Sequence, residues 1–198
     1  KGIDGYTFNP DRARELLHGA GYENSQDFPV LTIQINDGNP TALEVAEAVQ
    51  KMLADNLGVT VELSILPRDK HYEEIELGRV NIWRDGWIAD YPDPENFLKL
   101  FDGKLVPEDS VKASYLNTVR FNNPQFNEYF ELSTRETNSK LRQKLLFKAD
   151  SVAVDKAVVA PLYYEAWVWL VNNRVKNLAV SPMGNLDLSQ VYLSKIEE

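Results

Sequence analysis

The sequence predicts an α/β fold, and three observations predict it. Apolar residues alternate at Leu31, Ile33 and Ile35, and again at Val59, Val61, Leu63 and Ile65, the two-residue period of half-buried strands. Between them Ala42, Val45, Ala46, Val49, Met52, Leu53 and Leu57 recur at helical spacing, so strand, helix and strand form one unit of a parallel or mixed sheet. Helix-opening pairs recur along the rest of the chain at Asn9-Pro10, Asp93-Pro94 and Asn123-Pro124.

Each element follows from local chemistry. Asn9 can cap the free amides of the first helix, Pro10 suits its first position and Asp11 complements the helix dipole. Ala13, Leu16, Leu17 and Ala20 follow at helical spacing, and Gly21 stops the helix, which therefore runs from about 10 to 20. The Asp37-Gly38-Asn39-Pro40 segment ends the first strand, and Gly58 closes the long helix. A third helix is expected from Asp69 to Leu77, stopped by Gly78, after which Val80, Ile82 and Arg84 begin another strand. The Asp93-Pro94 helix carries Phe97, Leu98 and Phe101, and the Asn123-Pro124 helix has Phe126, Tyr129, Phe130 and Leu132 mostly on one side. Its successor, from about Asn138 to Val154, shows a less regular stripe of Leu141, Leu145, Phe147, Lys148 and Val152. Two late strands are expected at Val158 to Tyr164 and Ala166 to Val171. After Asn172 the pattern weakens: the Met183-to-Asp187 segment reads as a turn, and Val191, Tyr192 and Leu193 are apolar without an evident partner.

Composition narrows the function. With 198 residues, 43% of them hydrophobic, the chain has the size and apolar content of one globular domain. The net charge is −9, and Lys and Arg are scattered along the chain. That argues against nucleic acid, which needs clustered cations, and against an anionic membrane surface. There is no cysteine, hence no disulfide and no thiolate chemistry. Apolar runs such as Ala157 to Tyr164 are far short of the roughly 20 residues that span a bilayer. The chain starts Lys1-Gly2-Ile3, without an initiator Met or a signal pattern, and regular structure begins close behind, so it reads as a piece of something longer.

The densest chemistry lies in Trp83-Arg84-Asp85-Gly86-Trp87-Ile88-Ala89-Asp90-Tyr91-Pro92-Asp93-Pro94, behind a strand end where α/β folds commonly bind ligands. Gly86 allows close backbone approach, Trp87 offers a flat apolar wall and Asp90 a fixed negative charge, while Pro92 and Pro94 stiffen the loop. Asp93 reads as a helix cap. Asp90 with Asp93 is also a conceivable acid and base of a glycosidase-like enzyme, but a proline-rich turn gives no reason to expect the required separation. His71 and Glu74, three apart on a helix, could hold a metal ion; without further ligands they read as a solvated face, and His18 as a surface residue. No nucleophile, phosphate-loop or dinucleotide motif is present.

The Trp-x-x-Asp-Tyr-Pro-Asp-Pro-x-x-Phe-Leu run from Trp87 to Leu98 resembles the signature segment of the second lobe of oligopeptide- and dipeptide-binding proteins of ABC transporters. Its neighbours are similar to that family in the same order: FNPDRARELLHGAGY at 8–22, VAEAVQKMLADNLGVTVEL at 45–63, RFNNPQFNEYF at 120–130, LRQKLLFKADSVAVDKAVVAPLYY at 141–164 and WLVNNRVKNL at 169–178. The resemblance implies a lobe of the type II periplasmic-binding-protein kind, a mixed sheet flanked by helices. Residues 1–171 would form the C-terminal ligand-binding lobe, and 172–198 would return toward a first lobe that this chain does not supply. It implies Asp90 as partner of a peptide α-ammonium, Trp87 as a wall of a side-chain pocket, and Arg84 as an aid to ligand carboxylates in some members. The same resemblance implies peptide capture without catalysis and without a cofactor. Delivery would be to permease subunits by a monomer, either periplasmic or lipid-anchored on the outer face of the membrane. Nickel complexes, haem or sugars are the alternative solutes.

Overall fold

A computed structural model describes residues 5–23, 27–166, 168–181 and 183–195; the Lys1-Gly2-Ile3 start lies outside them. The first helix, α1 (Pro10–Gly19), leads to β1 (Leu31–Asn36), α2 (Pro40–Leu57), β2 (Val61–Leu66), α3 (Arg68–Glu76) and β3 (Ile82–Trp83). The three strands make one parallel sheet in the order β2-β1-β3, with Leu31 opposite Val61, Asn36 opposite Leu66 and Gln34 opposite Trp83. Parallel pairing puts the carboxyl ends of all three strands on one side. The β1–α2 turn, Pro67 and the Arg84-to-Pro94 loop therefore emerge together there.

A helical half follows. It consists of α4 (Glu95–Leu98), two single 3₁₀ turns, α5 (Pro124–Arg135) and α6 (Ser139–Asp155). Short antiparallel ribbons complete the chain, β4 (Val175–Lys176) with β7 (Tyr192–Leu193) and β5 (Ala179–Val180) with β6 (Leu186–Asp187). The expected turn at Met183 to Asp187 lies at the β5–β6 connection, where Gly184 takes φ +75°.

Asparagine is the common helix starter. Asn9, Asn39, Asn123 and Asn138 each accept a backbone N–H of the following helix through the side-chain oxygen, and each such cap is worth about 0.5–2 kcal/mol relative to alanine. At the other end of α2, Gly58 closes the helix in the left-handed region, φ 65°, where a Cβ is penalised.

The described residues form two apolar cores. One joins β1 and β2 to α2 through Ile33, Ile35, Ala46, Val59 and Val61. The other joins α4, α5 and α6 through Leu98, Phe126, Phe130, Leu146, Ala149 and Ala153. Phe126 and Phe130 stack at 5.8 Å between ring centroids, and Phe121 meets Phe126 edge-on at 5.5 Å, geometries that add to simple area burial.

Four expectations change. Val152 of α6 faces inward as expected, but beside Leu146, Ala149 and Ala153, whereas Leu141 and Phe147 are exposed; the packed face is rotated to the side on which the small Ala149 and Ala153 let α6 sit close against α5. Leu132 of α5 is also exposed. The third strand is confined to Ile82–Trp83, because beyond Trp83 only the Arg84 amide still reaches β1, donating to the Gln34 carbonyl at 3.0 Å. The described residues of the two late segments, 158–164 and 166–171, form no strand. Their apolar pattern allows an extended chain, but no neighbouring strand pairs with it, and Tyr164 and Leu170 stand almost fully exposed; Trp167 lies outside the described residues.

Candidate binding site at the carboxyl ends of the sheet

The loop after β3 is held from its own far end. Asp93 Oδ1 accepts the Glu95 amide at 2.9 Å, the capping role expected of it, but both carboxylate oxygens also take Arg142 of α6, at 2.6 and 3.0 Å. This two-toothed ion pair fixes the start of α4 to α6. The Arg142 guanidinium holds the Asp93 carboxyl below its ordinary range. Both oxygens of this carboxylate are thereby committed to Arg142 and to the start of α4.

With α4 fixed, Asn96 points back under the loop. Its side chain is buried, and its Oδ1 accepts the Trp87 indole N–H at 2.7 Å and the Asp90 backbone N–H at 3.2 Å, while its Nδ2 donates to Asp90 Oδ2 at 3.2 Å. One amide thus orients the indole and the carboxylate together. Trp87 is half-buried and Asp90 exposed. Nearby, Tyr91 donates its hydroxyl to Glu95, and this bond raises the phenol's pKa. A Cβ placed on Gly86 would meet nothing within 4 Å, so the backbone there faces open space. Asp85 accepts the Gly86 amide at 2.7 Å and the Tyr72 hydroxyl at 3.3 Å, tying the loop to α3.

Arg84 belongs to a neighbouring feature. It lines a cleft of about 460 Å³ with Asn36, Asp37, Gly38, Arg68 and Tyr72, between the β1–α2 turn and α3. Its Nη2 donates to the Tyr163 hydroxyl at 3.0 Å, and the Arg68 guanidinium lies 5.8 Å from the centre of the Tyr72 ring. The four residues singled out in the sequence therefore divide: Trp87 and Asp90 share a buried anchor, Gly86 lies between them and Arg84, and Arg84 faces the cleft.

His71 is not on a solvated face. It is fully buried, with Nδ1 3.0 Å from the side-chain nitrogen of Gln34, and burial lowers its pKa. His71 and Ile75, four apart, share the inward side of α3, while Glu74 pairs with Lys70 and Arg79 outside. Among the described residues no group of three or more His, Cys, Asp or Glu could hold a metal ion. None of the helices among the described residues is long and apolar enough to cross a membrane. His18 is exposed, as expected.

Residues 1–109 match the family described as bacterial extracellular solute-binding proteins, family 5, middle region. The chain belongs to this family. It is 30% identical over 176 residues, 89% of its length, to the oligopeptide-binding protein OppA of Bacillus subtilis, and 26% identical over 181 residues, 91% of its length, to the dipeptide-binding protein DppE of that organism. It spans only 31% and 32% of those two relatives. Among solved structures, the periplasmic oligopeptide-binding protein OppAIV of Borrelia burgdorferi superposes with a TM-score of 0.67 at 26% identity, over 79% of this chain and 29% of that one. The periplasmic binding protein DppA of Helicobacter pylori, in complex with the peptide STSA, gives 0.67 at 26%, over 77% and 28%. These likenesses establish the type II periplasmic-binding-protein lobe, with parallel pairing in the main sheet and antiparallel pairing in the ribbons.

Proposed function

We propose that this chain is the ligand-gripping lobe of the extracytoplasmic solute-binding component of a peptide importer. Residues 1–171 form the lobe, and 172–198 return toward a first lobe. Asp90 takes the α-ammonium of an extended peptide, Trp87 walls the adjacent side-chain pocket, Gly86 leaves room for the peptide backbone and Arg84 meets ligand carboxylates. The full-length protein works as a monomer in the periplasm, or lipid-anchored on the outer face of the membrane, and hands its peptide unaltered to permease subunits.

The observation that carries this reading is the Asn96 side chain, which presets an exposed carboxylate beside a flat indole before any ligand arrives. Preset groups spare the ligand the entropy of ordering them. When a second lobe closes over Asp90, desolvation makes its bare charge costly unless an ammonium pairs with it. Charge pairing and capture are then one event.

The test uses the full-length protein that contains this chain. Asp90→Asn should weaken binding of free peptides by about 2–5 kcal/mol and leave N-acetylated peptides nearly unaffected, as measured by calorimetry. Equal losses for both ligands would remove Asp90 from this role.

A further inference from the structure

The cleft beside Arg84 carries a charge pattern that ammonium recognition does not use. Two guanidiniums, Arg68 and Arg84, line it with a single carboxylate, Asp37. Neither arginine forms an ion pair with a carboxylate among the described residues, in contrast to Arg12, Arg14, Arg79, Arg135 and Arg142. Arg84 gives one hydrogen bond to the neutral Tyr163 hydroxyl, and Arg68 rests on the face of Tyr72. Asp85, the next carboxylate along, is occupied by the Gly86 amide and the Tyr72 hydroxyl. Two guanidiniums without an ion-pair partner therefore face one open cleft of about 460 Å³.

We propose that this cleft is a subsite for an acidic side chain of the bound peptide and that Arg68 is the residue that sets the preference. The inference rests on the peptide-binding reading above and adds a ligand class to it: peptides bearing Asp or Glu one or a few residues from the amino end. The bland alternative is a solvated arginine propped on a tyrosine. Against it, Arg68 and Arg84 come from different elements, α3 and the end of β3, and converge on one concavity with the β1–α2 turn. Guanidinium groups are weakly hydrated and present a planar fork that fits a carboxylate, so two of them left without a carboxylate partner in a cleft are suited to receive one. A ligand carboxylate would give both forks the ion-pair partner they lack.

The experiment measures competition binding to the full-length protein with C-terminally amidated short peptides, in pairs that differ only by Glu or Gln at one position. Amidation removes the terminal carboxylate, so any charge preference comes from the side chain. At one position Glu should bind about fivefold better than Gln, the equivalent of roughly 1 kcal/mol for a partly screened pair. Arg68→Met should abolish that ratio while leaving the Gln peptides unchanged. Arg68 is exposed, so the substitution spares the core. A Glu-to-Gln ratio of one in the unmodified protein overturns the proposal, as does a ratio that survives Arg68→Met. A preference seen only with free C-terminal carboxylates overturns it too, by assigning the cleft to the chain end. Failure of the ammonium reading shows separately, as Asp90→Asn binding free and acetylated peptides alike.

Discussion

The Asn96 side-chain oxygen accepts the Trp87 indole N–H at 2.7 Å from a position almost wholly closed to solvent. The same amide reaches Asp90 twice, at 3.2 Å to its backbone N–H and 3.2 Å to its carboxylate. Asn96→Ala would leave the indole N–H and the Asp90 amide unpaired, at a cost of about 1–3 kcal/mol. Urea denaturation reads the loss, and tryptophan emission should shift as the indole is released. A variant as stable as the parent, with unchanged emission, would show that Asn96 does not hold the loop.

The Asp93–Arg142 pair should behave as one unit. Its side chains are 30% and 29% exposed, so charge-assisted bonding is only partly screened, and either Asp93→Asn or Arg142→Met should destabilise by about 1–3 kcal/mol. The double variant should lose clearly less than the sum. Because the folded Asp93 pKa is depressed by Arg142, its contribution is complete above the ordinary carboxylate range and is lost as pH falls through the lower folded value. Acid denaturation of Arg142→Met should therefore be less steep.

His71 predicts an effect at milder pH. Burial lowers its folded pKa, helped by the positive charge of Arg84, while Asp85 and a backbone contact at Arg84 act in the opposite direction. The unfolded chain thus takes up a proton before the folded one does. Stability should be full above the ordinary imidazole value and fall as acidification passes that value toward the lower folded one. Thermal melts of His71→Gln across that range should show a flatter slope than the parent.

Phe126 and Leu132 make a paired test of the helical core. Phe126 is wholly buried and Leu132 exposed, so Phe126→Ala should cost about 3–5 kcal/mol and Leu132→Ala less than about 1. Comparable losses in urea would contradict the observed face of α5.

What sequence reasoning could reach depended on how local the determining physics was. Helix starts were legible because Asn-Pro pairs act within one turn, and β1 and β2 were legible because alternation marks a half-buried strand without regard to its neighbour. The α6 face was not, since the choice between Leu146 and Phe147 is made by how closely α5 approaches. His71 was misread as solvated although it shares a side with Ile75, four residues on; a polar residue on an apolar side was the available signal. Asn96 carried no such signal, since its neighbours Glu95 and Phe97 lie on other sides of the turn and Phe97 is exposed. Asp93 was legible as a cap, but Arg142, 49 residues away, was not, and no local pattern shows that Tyr163 meets Arg84.

That last contact spans 79 positions and ties the portion matched by the family, residues 1–109, to the stretch beyond it. Hybrids made by splicing a relative's front portion onto this chain's tail would bring together an arginine and a phenol that never co-evolved. Where the donor has no guanidinium at the position equivalent to 84, the tail would lose this tether to the residue after β3, so the splice point is better moved past Tyr163.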